Sequence, residues 1–347
     1  MWLGAVPALI LALAGGGTGQ AAIAMTPVAA GRNAPVRRVP LAATGKTPVH
    51  GGFFYVPAEA SDRILEVDSR GRVVWQATVA DPDDVSVTPH GNLVVNEPDR
   101  SVVVEISRRT GRVIWHYGHA GVAGSAPGYL RLPDDAFRLP GGDTLICDSG
   151  NARVIAVDRA GRIVWQYGHT GVWGTAAGYL AAPNDAVPLP GRRVLITTQF
   201  PPRVLEVAWG GRVLWSLAAD RQFAVRPVVA ELSDAVPVAP GRYVVAVYAN
   251  PGRILEFGAS GHVYWTYGPD AGLGALDHPS AVFPLVGGRF AISDDGHQRV
   301  LVVDRAGRVL WVFGGPTQTP GVSDVKPAEP WPTFTPAWGW GAPRPAA

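Results

Sequence analysis

Four aspartates recur at the start of successive apolar segments of this 347-residue chain, and each comes directly after an Asp, Asn or Ser. They stand in the motifs Pro-Asp-Asp84-Val, Pro-Asp-Asp135-Ala, Pro-Asn-Asp185-Ala and Leu-Ser-Asp234-Ala, and Ser280 takes their place in the last segment. Carboxylates that converge repel one another unless a cation, bridging waters or raised pKa values relieve the charge. The series predicts either a site for Ca²⁺ or another divalent cation, or turns in which each Asp accepts backbone N–H bonds.

Two long glycine-rich segments precede the second and third of these acids. They are His119-Ala-Gly-Val-Ala-Gly-Ser-Ala-Pro-Gly-Tyr129 and His169-Thr-Gly-Val-Trp173-Gly-Thr-Ala-Ala-Gly-Tyr179. Long loops on a rigid scaffold commonly form recognition surfaces. The segments therefore predict ligand-binding residues at His119, Tyr129, His169, Trp173 and Tyr179, with packing of the two similar loops as the alternative.

The elements that must position these residues repeat with a long period. Six segments each end an apolar run and a glycine turn with a tryptophan: Trp75, Trp115, Trp165, Trp215, Trp265 and Trp311. The spacings of 40, 50, 50, 50 and 46 residues contain no amphipathic helix. This pattern predicts an all-β fold, a β-propeller with six blades of four antiparallel strands.

The third repeat shows the predicted strands most clearly. They are residues 136–139, 144–147, 154–157 and 163–167, which we call strands A to D. Gly161 is predicted to adopt the positive φ of the C–D hairpin. The first repeat has no convincing strand A; residues 46–50 are the best candidate, and how the ring closes is left open.

The repeated tryptophans and arginines have a structural interpretation. The tryptophans are predicted to pack between blades. The arginines that stand twelve residues before a tryptophan are predicted to pair with acids or aromatic rings: Arg63, Arg153, Arg203, Arg253 and Arg299. Function is expected where the repeats differ. The four-strand meander places the D–A connections and B–C turns, with the loops and acids, on one face around the channel mouth.

The ends of the chain differ from the repeats. Residues 1–24 are predicted to be a signal peptide, with an uncleaved anchor as the alternative, and residues 25–45 a linker. The propeller is assigned to residues 46–315, and the Pro- and Trp-rich residues 316–347 to a disordered tail. No later segment reaches membrane-spanning length. The protein is predicted to be exported to the cell envelope or the medium.

Composition excludes several classes of function. A formal net charge of +2 gives no nucleic-acid footprint. Cys147 is the only cysteine, which excludes an intramolecular disulfide, and its apolar surroundings predict a buried, unreactive thiol. The chain has no nucleophile elbow, P-loop, His-Glu-x-x-His or Cys-x-x-Cys motif. A monomer is predicted.

The phrase DSGNARVIAVDRAGRIVWQYG resembles the NHL-type repeat of six-bladed propellers. The longer stretch PDDAFRLPGGDTLICDSGNARVIAVDRAGRIVW is similar to blades of arylsulfotransferase-like and quinoprotein-like propeller proteins, over about residues 50–315. The sulfotransferase resemblance implies a histidine that accepts the sulfuryl group just before a strand A acid. Other residues occupy that position here, so the catalytic candidates are His278, displaced by one residue, and His297 in the last B–C turn.

Two functions follow from these patterns. The first is a binding or scaffold module of the cell envelope that recognises a small molecule, a glycan or an envelope protein through its loop-rich face. The alternative is a channel-mouth enzyme. It would be arylsulfotransferase-like, or a divalent-metal-dependent lyase or lactonase with Asp135, Asp185 or His278 as general base.

Overall fold

A computed structural model describes residues 54–218, 231–269, 272–285, 287–315 and 326–327. Within these ranges the chain forms six four-stranded antiparallel sheets, the blades of a β-propeller. Blade one takes three strands from the start of this part: β1 (Phe54–Ala58), β2 (Arg63–Val67) and β3 (Val73–Thr78).

Blades two to six each contain four strands that are consecutive in the chain. Those of blades two and three are β4 (Val85–Val87), β5 (Leu93–Glu97), β6 (Val102–Ile106), β7 (Val113–Gly118), β8 (Pro133–Arg138), β9 (Thr144–Asp148), β10 (Arg153–Val157) and β11 (Ile163–Gly168). Those of blades four and five are β12 (Pro183–Leu189), β13 (Arg193–Thr198), β14 (Arg203–Ala208), β15 (Val213–Ala218), β16 (Glu231–Ala239), β17 (Arg242–Tyr248), β18 (Arg253–Gly258) and β19 (Val263–Tyr267). Those of blade six are β20 (Pro279–Leu285), β21 (Arg289–Asp294), β22 (Arg299–Asp304) and β23 (Val309–Gly314).

Short 3-10 turns connect strands B and C in three blades: Glu59–Ser61, Ser149–Asn151 and Asp295–His297. Among the described residues no helix has the length and apolar character needed to cross a bilayer. The predicted signal peptide and linker lie outside the described residues.

The strand order explains which residues line the centre. The A strands of blades two to six contact one another in succession, which places them around a common axis. Strands A, B and C are buried almost throughout, whereas strand D alternates between exposed and buried residues. Strand D therefore forms the outer rim, and strand A forms the channel wall.

The ring closes through the C-terminal part of the chain. A short strand, β24 (Lys326–Pro327), pairs antiparallel with β1 and takes the innermost position of blade one. The strand A that the sequence assigned to residues 46–50, which lie outside the described residues, is thus supplied from within the segment predicted as a disordered tail. β1 itself has the position of strand B.

The hairpins match the sequence prediction closely. All six glycines of the C–D turns have positive φ, between 68° and 84°. In blade three, Asp158 accepts hydrogen bonds from the backbone N–H groups of Ala160 and Arg162, and the bond from Arg162 lowers the pKa of its carboxyl group. An aspartate and a glycine therefore close the turn with local contacts alone.

The strand D tryptophans contact the next blade, as predicted. Trp215 lies 4.9 Å from Tyr243, Trp265 stacks on Phe290 at 4.7 Å, and Trp311 closes the circle against Phe54 at 5.5 Å, all between ring centroids. These contacts fill the space between neighbouring sheets with large rings.

Four buried glutamates on strand C complete the inter-blade contacts, and sequence reasoning missed them: Glu66, Glu105, Glu206 and Glu256. Glu105 pairs with Arg138 of blade three, whose guanidinium lies over the Trp115 ring. The signal was present, because a charged residue recurs in the middle of an otherwise apolar strand.

Candidate functional site

The two glycine-rich loops are built alike and are ordered by their own residues. His119 stacks on Tyr129 with 4.4 Å between ring centroids, and His169 stacks on Tyr179 at 4.2 Å. In the first loop the N–H of Gly128 also donates to the hydroxyl of Tyr117. These stacks give the four predicted ligand-binding residues a packing role within each loop.

Arginines of the following blade hold the loops in place. Arg203 donates to the carbonyl oxygens of Thr175 and Tyr179, at 2.9 Å and 3.2 Å. Arg153 makes the equivalent contact to Tyr129 at 3.3 Å, while its Nε donates to Asp148 at 2.7 Å. Arg153 and Arg203 are therefore scaffold elements that fix the preceding loop. Arg153 has the predicted acidic partner, whereas Arg203 bonds carbonyl oxygens where the sequence predicted an acid or an aromatic ring.

The loop tips leave apolar side chains in solvent. Val122, Val172 and Trp173 are 52%, 51% and 50% exposed. Ala123 occupies the position of Trp173 in the first loop, where the backbone has the same His–Val bridge and the same hydrogen bonds; the second loop has one further bridge, between Trp173 and Leu180. The fold of the loop therefore does not require the tryptophan.

The four aspartates lie at the start of the A strands and are buried. Asp135 accepts a hydrogen bond from the backbone N–H of Ala186, and Asp185 accepts one from Ala235, at 3.3 Å and 3.0 Å. Each donor belongs to the next blade, so the carboxylates of Asp135 and Asp185 accept backbone N–H bonds across blades. Among the described residues, no group of three or more His, Cys, Asp or Glu is arranged to hold a metal ion.

The register of blade six differs from the sequence alignment of the acids. Pro279 pairs with Asp294 as Pro133 pairs with Asp148, so Ser280 occupies the position of Asp134. Ala281 therefore stands at the position of the aspartate series. His278 is two residues before Ser280, with a left-handed φ of 49°.

The residues that precede the aspartates form a second polar set at the channel mouth. Asn184 Nδ2 donates to Asp134 Oδ2 at 3.1 Å, and Asn96 Nδ2 donates to Asp83 Oδ2 at 3.3 Å and to the Asp134 carbonyl oxygen. The sequence did not identify Asn96 as a residue of the channel mouth. Asn96 is the penultimate residue of β5, and nothing in its local sequence indicated contact with another blade.

Asp295 extends this set into blade six and was also missed. Ser280 Oγ donates to its Oδ1 at 2.7 Å. Burial raises the pKa of Asp295 to about 8; the Ser280 bond opposes the shift, and the carboxylates of Asp294, Glu59 and Asp234 add to it. Groups from blades one, five and six therefore share one strongly acidic mouth.

Both candidate histidines are oriented by aspartates. His278 Nδ1 donates to Asp277 Oδ1 at 2.6 Å, and His297 Nδ1 donates to Asp294 Oδ2 at 2.9 Å. The side chains are 45% and 41% exposed. A neutral histidine held through Nδ1 keeps its lone pair on Nε2, which can accept a proton. His297 stands where blade three has Asn151, which also binds its aspartate, so its contact follows the scaffold pattern.

Cys147 is buried, as predicted. Burial raises the pKa of its thiol well above the ordinary value, with Asp134, Asp135 and Asp185 contributing. The thiolate, which is the reactive form, is therefore suppressed.

Comparison with known proteins supports the fold, and the similar proteins have different functions. A family model described as outer membrane protein assembly factor BamB matches residues 28–199, just under half of the chain. No curated protein is similar enough to match. The NHL-type and arylsulfotransferase-like resemblance remains a prediction.

Three solved structures illustrate the range. A protein of unknown function from Bacteroides caccae has a TM-score of 0.61 and 17% identity, over 80% of this chain and 98% of that chain. A propeller in a nidogen/laminin complex has a TM-score of 0.56 and 13% identity, over 80% and 99%. A catalytically inactive His-to-Ala variant of virginiamycin B lyase from Staphylococcus aureus, solved with quinupristin, has a TM-score of 0.51 and 10% identity, over 78% and 87%. At these identities the similarity shows the fold alone.

Proposed function

We propose that this protein is an exported binding module of the cell envelope that captures a partner protein on its loop-rich face. The observation that carries the proposal is Trp173, a half-exposed ring on a loop whose twin folds with Ala123 at the same position. Exposed aromatic side chains on rigid supports are typical anchors of protein interfaces.

The preorganisation of the loops supports this function. The His169–Tyr179 stack and the Arg203 contacts fix the loop backbone before any partner arrives. A surface that is ordered in advance loses less conformational entropy on binding. The exposed Val122 and Val172 flank the same face and add apolar area.

The envelope location rests on the apolar N-terminal segment and on the similarity of residues 28–199 to an outer membrane protein assembly factor. The nidogen/laminin complex adds a propeller of similar fold that takes part in a protein complex. Cell fractionation tests the location, with recovery in the cytoplasm as the result that would contradict it.

A photo-crosslinking amino acid at position 173 tests the binding surface. We expect a crosslinked partner from position 173 in the host cell, and no equivalent product from position 264. Tyr264 is the matched control because it is also 50% exposed but lies on strand D of blade five. Trp173→Ala should abolish copurification of the crosslinked partner; equal crosslinking from both positions would count against the proposal.

A second function is favoured by one specific contact, the Asp277–His278 pair. A histidine oriented by a carboxylate with Nε2 on a half-exposed ring is suited to general-base catalysis. The similar fold of virginiamycin B lyase suggests quinupristin as a first substrate to try. Cleavage that is detected by mass spectrometry and lost in His278→Ala would support an enzyme, and an unchanged antibiotic would remove this substrate.

A further inference from the structure

The start of strand A is irregular in four successive blades, at the channel mouth. The ladders between strands A and B shift register at Pro133/Asp135, Pro183/Asp185, Leu232/Ala235 and Pro279/Val282. Bulges of this kind redirect side chains and are enriched next to binding sites. Asp134, Asn184, Ser233 and Ser280 each lie inside one of these four register shifts. The polar residues that precede the aspartates therefore stand where the strand is irregular.

Two amides in this set are almost completely buried and are oriented by the acids. Asn96 is 1% exposed and Asn184 is 8% exposed. Their Nδ2 groups donate to the carboxylates of Asp83 and Asp134. Within the described part of the chain, the Oδ1 atoms of both amides lack a hydrogen-bond donor. A buried acceptor without a donor is costly, which points to a ligand that brings one.

The electrostatic surroundings define the charge of that ligand. Asp83 and Asp134 accept hydrogen bonds from the two amides, and the carboxylates of Glu59 and Asp234 lie close enough to Asp295 to help raise its pKa. Several carboxylates at one mouth repel an anion and attract a cation. A cation that also donates hydrogen bonds satisfies both the amide oxygens and the acids.

The donor geometry favours one class of cation. The described residues contain no group of three or more acids, histidines or cysteines arranged for a metal ion. A guanidinium prefers two oxygens of one carboxylate side by side, whereas an ammonium is a compact charge with three donors that can reach separate acceptors. Asn96 Oδ1, Asn184 Oδ1 and the Asp134 carboxylate are separate acceptors of this kind.

We propose that the channel mouth binds a primary ammonium group, such as a lysine side chain of the partner, between Asn96, Asn184 and Asp134. The inference rests on the proposed function, because the loop face would supply the other contacts. Trp173 and the flanking valines would then bind the apolar surface around that lysine.

Fluorescence anisotropy with a labelled peptide of three alternating Gly-Lys units tests the site on the full chain. We expect the peptide to bind, and its Nε-acetylated form to lose binding. Asp134→Asn, which keeps the shape, and Asn184→Ala should each weaken binding about tenfold, because each removes a hydrogen bond to a charged donor. Asp158→Asn removes one charge from a C–D hairpin on the opposite face and should leave binding unchanged. Circular dichroism confirms that each variant is folded.

Equal binding of the acetylated peptide, no binding of either peptide, or equal loss in Asp158→Asn would overturn the ammonium site. Displacement of the peptide by micromolar Ca²⁺ or Mg²⁺ would overturn it in favour of a metal site. If the Trp173 crosslinking succeeds while the peptide results fail, the proposed function stands and only this inference falls.

Discussion

Glu105 and Arg138 form a pair in which both side chains are buried, at 1% and 2% exposure, with 2.6 Å between the charged atoms. Arg159 reaches the same carboxylate at 3.2 Å but is 52% exposed. The buried guanidinium of Arg138 needs the Glu105 carboxylate to balance its charge, whereas water can solvate the exposed guanidinium of Arg159. Removal of an acid from a buried pair leaves an uncompensated charge, whereas an exposed partner is solvated when the pair is broken.

We therefore expect Glu105→Ala to lower the free energy of unfolding by about 3–5 kcal/mol. Arg159→Ala should cost less than about 1 kcal/mol. Urea unfolding of the two variants measures the difference. Similar losses in both would show that Arg138 is compensated by other groups.

The pKa of Asp295 predicts how the stability of the protein changes with pH. Its pKa is raised from the ordinary 3.8 to about 8, so the folded protein holds this proton more tightly than the unfolded chain does. The stabilisation is fully present below about pH 4 and is lost as the pH rises through about 8, because the folded state must then bury a charge. Asp295→Asn removes this dependence. The variant should gain stability relative to the wild type between pH 5 and pH 8 in thermal unfolding, and a constant difference would contradict the shift.

At the scale of elements, the loops at residues 119–129 and 169–179 each combine an internal histidine–tyrosine contact with an arginine anchor from the next blade. Arg203 supplies the anchor for residues 169–180 through two carbonyl oxygens. Arg63 stands at the same repeat position in blade one but donates to Gln76 of its own blade. Comparison of variants at Arg203 and Arg63 therefore distinguishes the effect of the loop contact from the effect of losing any arginine at the start of strand C.

Arg203→Ala should loosen the loop without unfolding the blade. We expect amide hydrogen exchange of residues 172–180 to become about tenfold faster, because hydrogen bonds from a charged donor are lost. Arg63→Ala should leave exchange in that segment unchanged. Faster exchange throughout blade four would instead show that Arg203 stabilises the whole sheet.

At the scale of the molecule, closure depends on a strand of two residues. Phe54 pairs with Pro327 and Tyr55 pairs with Lys326, which covers the inner edge of blade one. An uncovered edge leaves backbone groups without partners and invites association between chains.

A chain that ends at residue 315 should lose about 2 kcal/mol of stability through these missing contacts. The melting temperature should fall by about 4 °C, and the truncated protein should associate at high concentration. A chain that ends at residue 330 retains β24 and is the control. Calorimetry and light scattering compare the two, and equal behaviour would show that β24 does not stabilise the ring.

The sequence by itself determined the blade count, the C–D hairpins and the face that carries the loops. These features depend on local patterns: strand alternation, a glycine at each turn, and tryptophans at a regular spacing. Gly161 and its five equivalents needed only their neighbours to be assigned.

Only the tertiary structure decided which distant residues meet. It supplied Lys326–Pro327 to blade one, moved Ser280 into the register of Asp134, and gave the Asp135 carboxylate a donor in the next blade. It also brought Asn96 and Asp295 to the channel mouth. The physical reason is that these contacts join residues far apart in the chain, across sheets whose relative placement comes from packing around the axis. No local preference of Asn96 or Lys326 contains that information.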